Sequence, residues 1–354
     1  MIAATSTSIA WLVLVASLIG WAVYAIANVR QGRAEVGSEI KLAANRKPYY
    51  DDEDLEGPRL ERVQVLGLVF LAMLTVALPL YWILEPTRQS EAAFGFEKRF
   101  VRWGSTVFAA TADGGFNCAG CHGGMTAGGG VAPWAVTDPL TGEVKSVNWK
   151  APALSTVLYR FSEEEVRFIL NYGRPFSPMS AWGTIGGGPL NDQAVQTLID
   201  YMKSIQIPMS GCEVPRSAYN PTCDTGTLPA EQNDRIMAEA ERLVAAGTYG
   251  SIGEALFNLD LDGGAYSCAR CHTKGWSFGE PEITGGGAFG PNLRGGSSIR
   301  QFPQQSDMIA FLKKGSEYGK RYGEQGQGSG RMPGFGQIYT DEQIKLIVEY
   351  VRSL

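Results

Sequence analysis

The residues best equipped for chemistry in this chain of 354 residues are gathered in one short pattern that occurs twice, Cys118-Ala-Gly-Cys121-His122 and Cys268-Ala-Arg-Cys271-His272. The chain has six cysteines and only two histidines, so the pattern takes up four of the first and both of the second. Two thiols three residues apart on one turn can reach the two vinyl groups on one edge of a porphyrin and form thioethers. The next residue then presents its imidazole to the iron. Zinc is the competing use of such cysteines, but the two pairs of a zinc ribbon stand ~15–20 residues apart, whereas these lie in separate copies of a long repeat. A redox Cys-x-x-Cys pair does not account for a histidine following immediately in both copies. The pattern predicts two covalently bound haem c groups, attached through Cys118, Cys121, Cys268 and Cys271, with His122 and His272 as axial ligands.

With both histidines used, the sixth position on each iron falls to methionine. Met73 lies in an apolar run and Met125 is too close to His122 to reach the opposite face. Two others share a context: Pro178-Met179-Ser-Ala-Trp182-Gly183 and Met332-Pro-Gly-Phe335-Gly336 both read Met-x-x-aromatic-Gly beside a proline, and follow their histidines by 57 and 60 residues. Met179 and Met332 are therefore the expected second axial ligands. Histidine/methionine ligation leaves no open position on the iron and raises its potential above that of a bis-histidine haem. The expected function is the relay of single electrons between partner proteins, with no catalysis of the chain's own. The alternative, a dihaem peroxidase or a haem-based sensor, requires one iron that can open, so Met179 or Met332 would have to leave.

The elements that position these residues also repeat. Gly104-x-x-x-Phe108 corresponds to Gly253-x-x-x-Phe257, each on a helix where residues four apart share a face. Leu198-Ile-Asp-Tyr201 corresponds to Ile347-Val-Glu-Tyr350, in amphipathic stretches opening at Asn191-Asp192 and Thr340-Asp341 with good N-cap residues. Each unit reads as helix, binding loop, glycine-rich excursion, helix, so the fold class is all-α. A hairpin is expected only over Pro133–Trp149, turning at Asp138–Gly142. Between the units, Cys212 and Cys223 stand in a Pro/Ser/Thr/Gly-rich stretch ahead of a helical segment, Ala230–Ala246. In an oxidising compartment they form a disulfide, worth roughly 3 kcal/mol in the chain-entropy account.

Upstream lie two apolar runs, Ile9–Val29 and Val63–Leu84, each as long as a bilayer-spanning helix. Trp11, Trp21, Tyr81 and Trp82 sit toward their ends, as interfacial aromatics do, and Pro79 suggests a kink in the second. The first lacks a basic leader and exceeds the usual length of a signal-peptide core, so it reads as a retained helix. Residues 30–62 carry seven Lys or Arg against none in residues 1–29. The positive-inside rule thus puts this loop in the cytoplasm of a bacterial cell and the haem-binding part outside. The acidic Tyr49–Glu56 stretch reads first as a solvated loop, with a docking strip for a neighbouring subunit as the alternative. The resulting organisation is a membrane anchor over 1–85 with helices at about 9–29 and 63–84, a haem-binding domain over 86–207, a linker over 208–247 with the disulfide, and a second haem-binding domain over 248–354. The net charge of −5 offers no basic field for a polynucleotide, so nucleic acid is excluded as a partner.

Residues 97–207 and about 248–354 resemble two class I cytochromes c, through the Gly/Phe pair of the first helix, the Cys-x-x-Cys-His motif, a proline after it, the methionine loop and a last helix bearing an aromatic. The resemblance implies that Ala151-Pro152-Ala153-Leu154 and Gly290-Pro291-Asn292-Leu293 supply the carbonyls of Pro152 and Pro291 to Nδ1 of His122 and His272. The first unit departs from the family in a long insertion, Gly123–Lys150. The order of two helices, then two such domains, is similar to the dihaem subunit of cbb3-type oxidases. That implies integral-membrane subunits of a terminal oxidase or quinol-oxidising respiratory complex as partners, with electron donor and acceptor proteins outside.

Overall fold

The computed structural model describes residues 11, 12, 14–27, 57–137, 140–174, 177–213, 216–262, 264–317 and 331–354. The N-terminal tail, the loop over 30–56 with its acidic Tyr49–Glu56 stretch, and residues 318–330 lie outside them. The chain divides into two compact units, Met1–Ala93 and Phe94–Leu354.

In the first unit the described part of the first apolar run is helical, and Leu14–Ala27 forms α1. Helix α2, Pro58–Phe108, has 51 residues. Among the described residues it is the one helix long and apolar enough to cross a membrane, with an 18-residue window of mean hydropathy 2.3 whose residues are not buried. It does not stop at Leu84: it runs through Pro79 and Pro86. A proline inside a helix removes one hydrogen bond and crowds the preceding turn. At Pro86 a side-chain ladder bridges the break, Arg88 donating to Glu85 at 2.6 and 2.7 Å and Gln89 donating to Glu85 at 2.9 Å. Pairs at i,i+3 and i,i+4 of this kind support a helix locally.

The second unit is mostly helical and built from two halves of the same order. In the first, the end of α2 is followed by α3 (Cys118–His122), the antiparallel hairpin β1 (Gly130–Thr137) and β2 (Val144–Ala151), then α4 (Glu163–Tyr172) and α5 (Asp192–Ser204). In the second, α6 (Ala230–Ala245) and α7 (Ile252–Asn258) precede α8 (Ala269–His272), α9 (Ser297–Gln301), α10 (Gln305–Lys314) and α11 (Asp341–Ser353). The terminal helices are capped where the sequence suggested. Asn191 accepts from the Ala194 amide, and Thr340 makes a capping box with Gln343.

In each half a glycine lets the helix ahead of the motif cross the last helix at backbone contact. A Cβ at Gly104 would lie 1.8 Å from the Thr197 carbonyl oxygen, and one at Gly253 would lie 2.2 Å from that of Leu346. One turn on, Phe108 meets the Tyr201 ring at 5.1 Å and Phe257 meets Tyr350 at 5.5 Å. Around these crossings grow two apolar cores. One is built on Phe108, Leu190, Leu198 and Ile199; the other on Leu256, Phe257, Ile344 and Ile347. Helix α6 belongs to the second core, since Ile236 and Ala240 are fully buried there. Upstream of α6, Cys212 and Cys223 form a disulfide.

Candidate functional site

Each Cys-x-x-Cys-His motif folds as a single helical turn ending at its histidine. That turn aims the imidazole at a proline carbonyl from a later loop: Nδ1 of His122 lies 2.9 Å from the Pro152 oxygen, and Nδ1 of His272 lies 2.9 Å from the Pro291 oxygen. A carbonyl can only accept, so Nδ1 carries the proton and Nε2 is left with its lone pair for a metal. Burial pulls the pKa of both rings down, the proline hydrogen bonds oppose it in part, and the charge of Arg270 lowers His122 further. Neutral imidazoles of fixed tautomer are what an iron requires. At the second site the fit is close, because a Cβ on Gly290 would lie 2.6 Å from Cε1 of His272.

The two cores bring the remaining candidates together. Cys118, Met179 and Trp182 pack on the first core; Cys268, Met332 and Phe335 belong to the second. Both methionine loops are held the same way. Helix α4 ends at Gly173 and α10 at Gly315, with φ of 71° and 76° and extended ψ, a region open only to glycine. Both glycines lie against the methionine loop: a Cβ would stand 2.5 Å from the Met179 oxygen at the first and 2.5 Å from the Met332 oxygen at the second. Past each methionine the chain is bonded back to the helix, Trp182 and Gly183 donating to the Leu170 carbonyl, Phe335 to that of Leu312 and Gly336 to that of Lys313. The second loop is clamped from both sides by Ser316, whose hydroxyl accepts from the Met332 amide at 2.9 Å and whose amide donates to the Met332 carbonyl at 2.9 Å.

Burial pushes the thiol of Cys118 up to about 11 and that of Cys268 up to about 12, and raises Cys271 as well. A redox or nucleophilic cysteine needs the opposite shift, toward thiolate at neutral pH. Cys118, Cys268 and Cys271 are thus poor redox centres, and among the described residues no cluster of three or more His, Cys, Asp or Glu could hold a bare metal ion. Neutral imidazole, thioether sulfur and paired thiols beside an apolar core fit a covalently held haem.

Sequence spacing did not reveal the seam between the halves. The insertion Gly123–Lys150 folds in large part as the hairpin, which lies against the second half: Trp149 meets Phe278 at 4.8 Å, and Lys145 pairs with Glu280 at 2.5 Å. Nearby four guanidinium groups surround two rings. Arg160, Arg174 and Arg331 stand 5.5, 5.3 and 5.8 Å from the centre of Phe161; Arg160 and Arg270 stand 4.0 and 5.3 Å from that of Tyr266. The only signals in the sequence were an arginine inside the second motif, Arg270, and one preceding the second methionine, Arg331.

Residues 251–354 match the family model described as Cytochrome c. No curated protein and no solved structure matches the chain. The C-terminal part of the chain is therefore a cytochrome c domain, which implies covalently bound haem c and haem-based electron transfer.

Proposed function

We propose that the chain is a membrane-anchored dihaem c-type cytochrome, relaying single electrons on the outer face of a bacterial membrane as a subunit of a respiratory complex. One observation carries the reading. The geometry of the cytochrome c domain, with its helix crossing at Gly253, His272 tied to Pro291 and Met332 beyond a left-handed glycine, recurs piece by piece at Gly104, His122–Pro152 and Met179. That recurrence supports a second haem site.

Haem c bound at each motif supplies a one-electron iron couple. The chain's residues do the rest. His122 and His272 donate through Nδ1 to Pro152 and Pro291, which leaves Nε2 free to hold the iron of a bound haem; Met179 and Met332 would supply a thioether as the second ligand, and the apolar cores would keep water away. Iron held in this way would leave oxygen and peroxide no place to bind, which favours relay over peroxidase chemistry. The long apolar helix α2 supports anchoring, the basic loop over 30–62 supports an extracytoplasmic haem unit, and two spans would exceed what a tether needs. That excess supports packing of residues 9–84 against integral-membrane subunits, with soluble donor and acceptor proteins outside.

Haem content and spectra test the reading. Two haems per chain, both low-spin with the weak sulfur-to-iron band at the red end, are expected. A single haem, or carbon monoxide binding to the native protein, would overturn it. Gentle detergent extraction should bring integral-membrane partners with the chain; recovery as a lone monomer would refute the complex.

A further inference from the structure

The linker between the halves is cross-tied well beyond its disulfide. Ser210 and Thr227 exchange two backbone hydrogen bonds, at 2.9 and 3.1 Å, and the Met209 amide donates to the Pro221 carbonyl at 2.9 Å. The Cys223 amide donates to Sδ of Met209 at 3.4 Å. Gly226 gives the disulfide its room, since a Cβ there would lie 2.6 Å from Sγ of Cys212. A plain tether between two domains needs no such order.

One side of the loop grips the first half. Nδ2 of Asn220 donates to the Ser204 and Gln206 carbonyls at 2.9 and 2.6 Å, and its amide donates to that of Lys203 at 3.1 Å, which satisfies acceptors at the end of α5. Ile207 donates to the Ser155 carbonyl at 2.8 Å and accepts from the Tyr159 hydroxyl at 3.1 Å. The other side grips the segment just past Met332. Nε2 of Gln337 donates to the Cys223 carbonyl at 2.8 Å and to that of Asp224 at 3.1 Å, and the Leu228 amide donates to the Gln337 carbonyl at 2.7 Å. Met209 and Leu228 are buried in the second core, to which Phe335, Ile338 and Tyr339 also belong.

The first half closes its methionine loop from within. Thr184 follows Met179 at the distance at which Gln337 follows Met332, and its amide donates to the Leu190 carbonyl at 2.8 Å, so the excursion after Met179 folds back on itself. From the methionine to the start of the last helix that half takes 13 residues, Met179 to Asp192, whereas the second takes 9, Met332 to Asp341. The shorter route leaves no residues for a closure of this kind, and Leu228 of the linker stands in for it.

We propose that the linker loop closed by Cys212–Cys223 positions Met332: anchored on the first half through Asn220 and Ile207, it holds Gln337 and so fixes the loop that presents the thioether to the haem of the second half. This rests on the reading that Met332 is an axial ligand of that haem. Gln337 is a positioning residue. The disulfide keeps its two acceptors, the carbonyls of Cys223 and Asp224, at the mouth of a closed loop.

The test uses the full chain, loaded with haem and solubilised in detergent, and reads the weak sulfur-to-iron band and carbon monoxide binding. Met332→Leu marks the share of the band that belongs to the second haem. A wild-type chain without that share removes the axial-ligand reading and this proposal together; a chain that has it leaves the proposal alone to be decided by the next variants. Gln337→Glu keeps the size of the side chain but, ionised, cannot donate. Loss of its two hydrogen bonds should raise the fraction of the second haem that binds carbon monoxide about tenfold. It should also weaken that haem's share of the band and leave the first haem unmoved. C212S/C223S should do the same. So should Asn220→Ala, whose side-chain hydrogen bonds go to the first half. An unmoved second haem in Gln337→Glu, even with a lower melting temperature, would overturn the proposal. So would an equal change in both haems, or an Asn220→Ala chain disturbed at the first haem alone. If C212S/C223S fails to accumulate, Gln337→Glu carries the same expectation with the disulfide in place.

Discussion

Arg331 reaches across 166 positions of sequence to bond the carboxylate of Glu165 through Nε and Nη2, while its Nη2 also donates to the Arg160 carbonyl at 3.1 Å. Both side chains are largely buried. The pair locks α4 of the first half to the methionine loop of the second, since Arg331 adjoins Met332. Glu165→Gln keeps the hydrogen-bonding shape, including the capping bond from the Ser162 amide, but removes the charge. Stripping one charge from a buried pair costs about 3 kcal/mol or more. Thermal unfolding should show that loss, and E165Q/R331M should recover most of it; full additivity of the two single variants would mean that the residues do not act as a pair.

The same contact sets an acid limit. Burial alone would raise the Glu165 carboxyl, but the hydrogen bonds and charge of Arg331, with the Ser162 amide, outweigh it and hold the group below the ordinary carboxylate range. A group whose folded pKa is depressed contributes stability above its unfolded value, ~4.3 for glutamate. That contribution is lost as pH falls through the folded value. Wild-type protein should lose stability below about pH 4 more steeply than Glu165→Gln. Parallel stability–pH curves for the two would show that another group governs the acid transition.

How much of this was legible beforehand depended on whether a feature keeps a fixed spacing. The motifs, the methionine pair, the Gly/Phe helix faces and the caps at Asn191 and Thr340 recur at nearly constant offsets, so the repeat in the sequence exposes them. The glycines that turn the chain toward the methionines do not. Gly173 precedes Met179 by 6 residues and Gly315 precedes Met332 by 17, because the second loop is longer. Composition ends helix α2 at Leu84, since the polar residues after it look like a boundary; a helix carries on through polar residues when its side chains pair along it. The arginine seam has no period at all, being assembled from four separate segments in three dimensions. The acidic stretch Tyr49–Glu56 falls outside the described residues.

Gly315 offers a direct check on how the second methionine loop is held. Its φ of 76° with ψ of −176° strains any other residue by about 1–3 kcal/mol. A Cβ would also lie 2.5 Å from both the Gly334 amide nitrogen and the Met332 oxygen. Gly315→Ala should lower the melting temperature and weaken the sulfur-to-iron band of one haem only. An equal change in both haems, or none, would show that this turn does not control the loop.

Met332→Ala asks whether the thioether itself is a ligand. The side chain is partly buried against the second core with Cys268 and Phe335, so removing it also loses packing, costing about 2 kcal/mol, the low end of the range for a buried methionine. Met332→Leu separates the two effects, because it keeps the packing and removes the sulfur. If sulfur closes the iron, both variants retain two attached haems, both lower one midpoint because thioether favours the ferrous state, and both bind carbon monoxide in the native state. The leucine variant does so with little loss of stability. Should Met332→Leu keep the wild-type spectrum and midpoint, the sixth ligand at the second haem lies elsewhere, and the closed iron on which electron relay rests has to be sought in another residue.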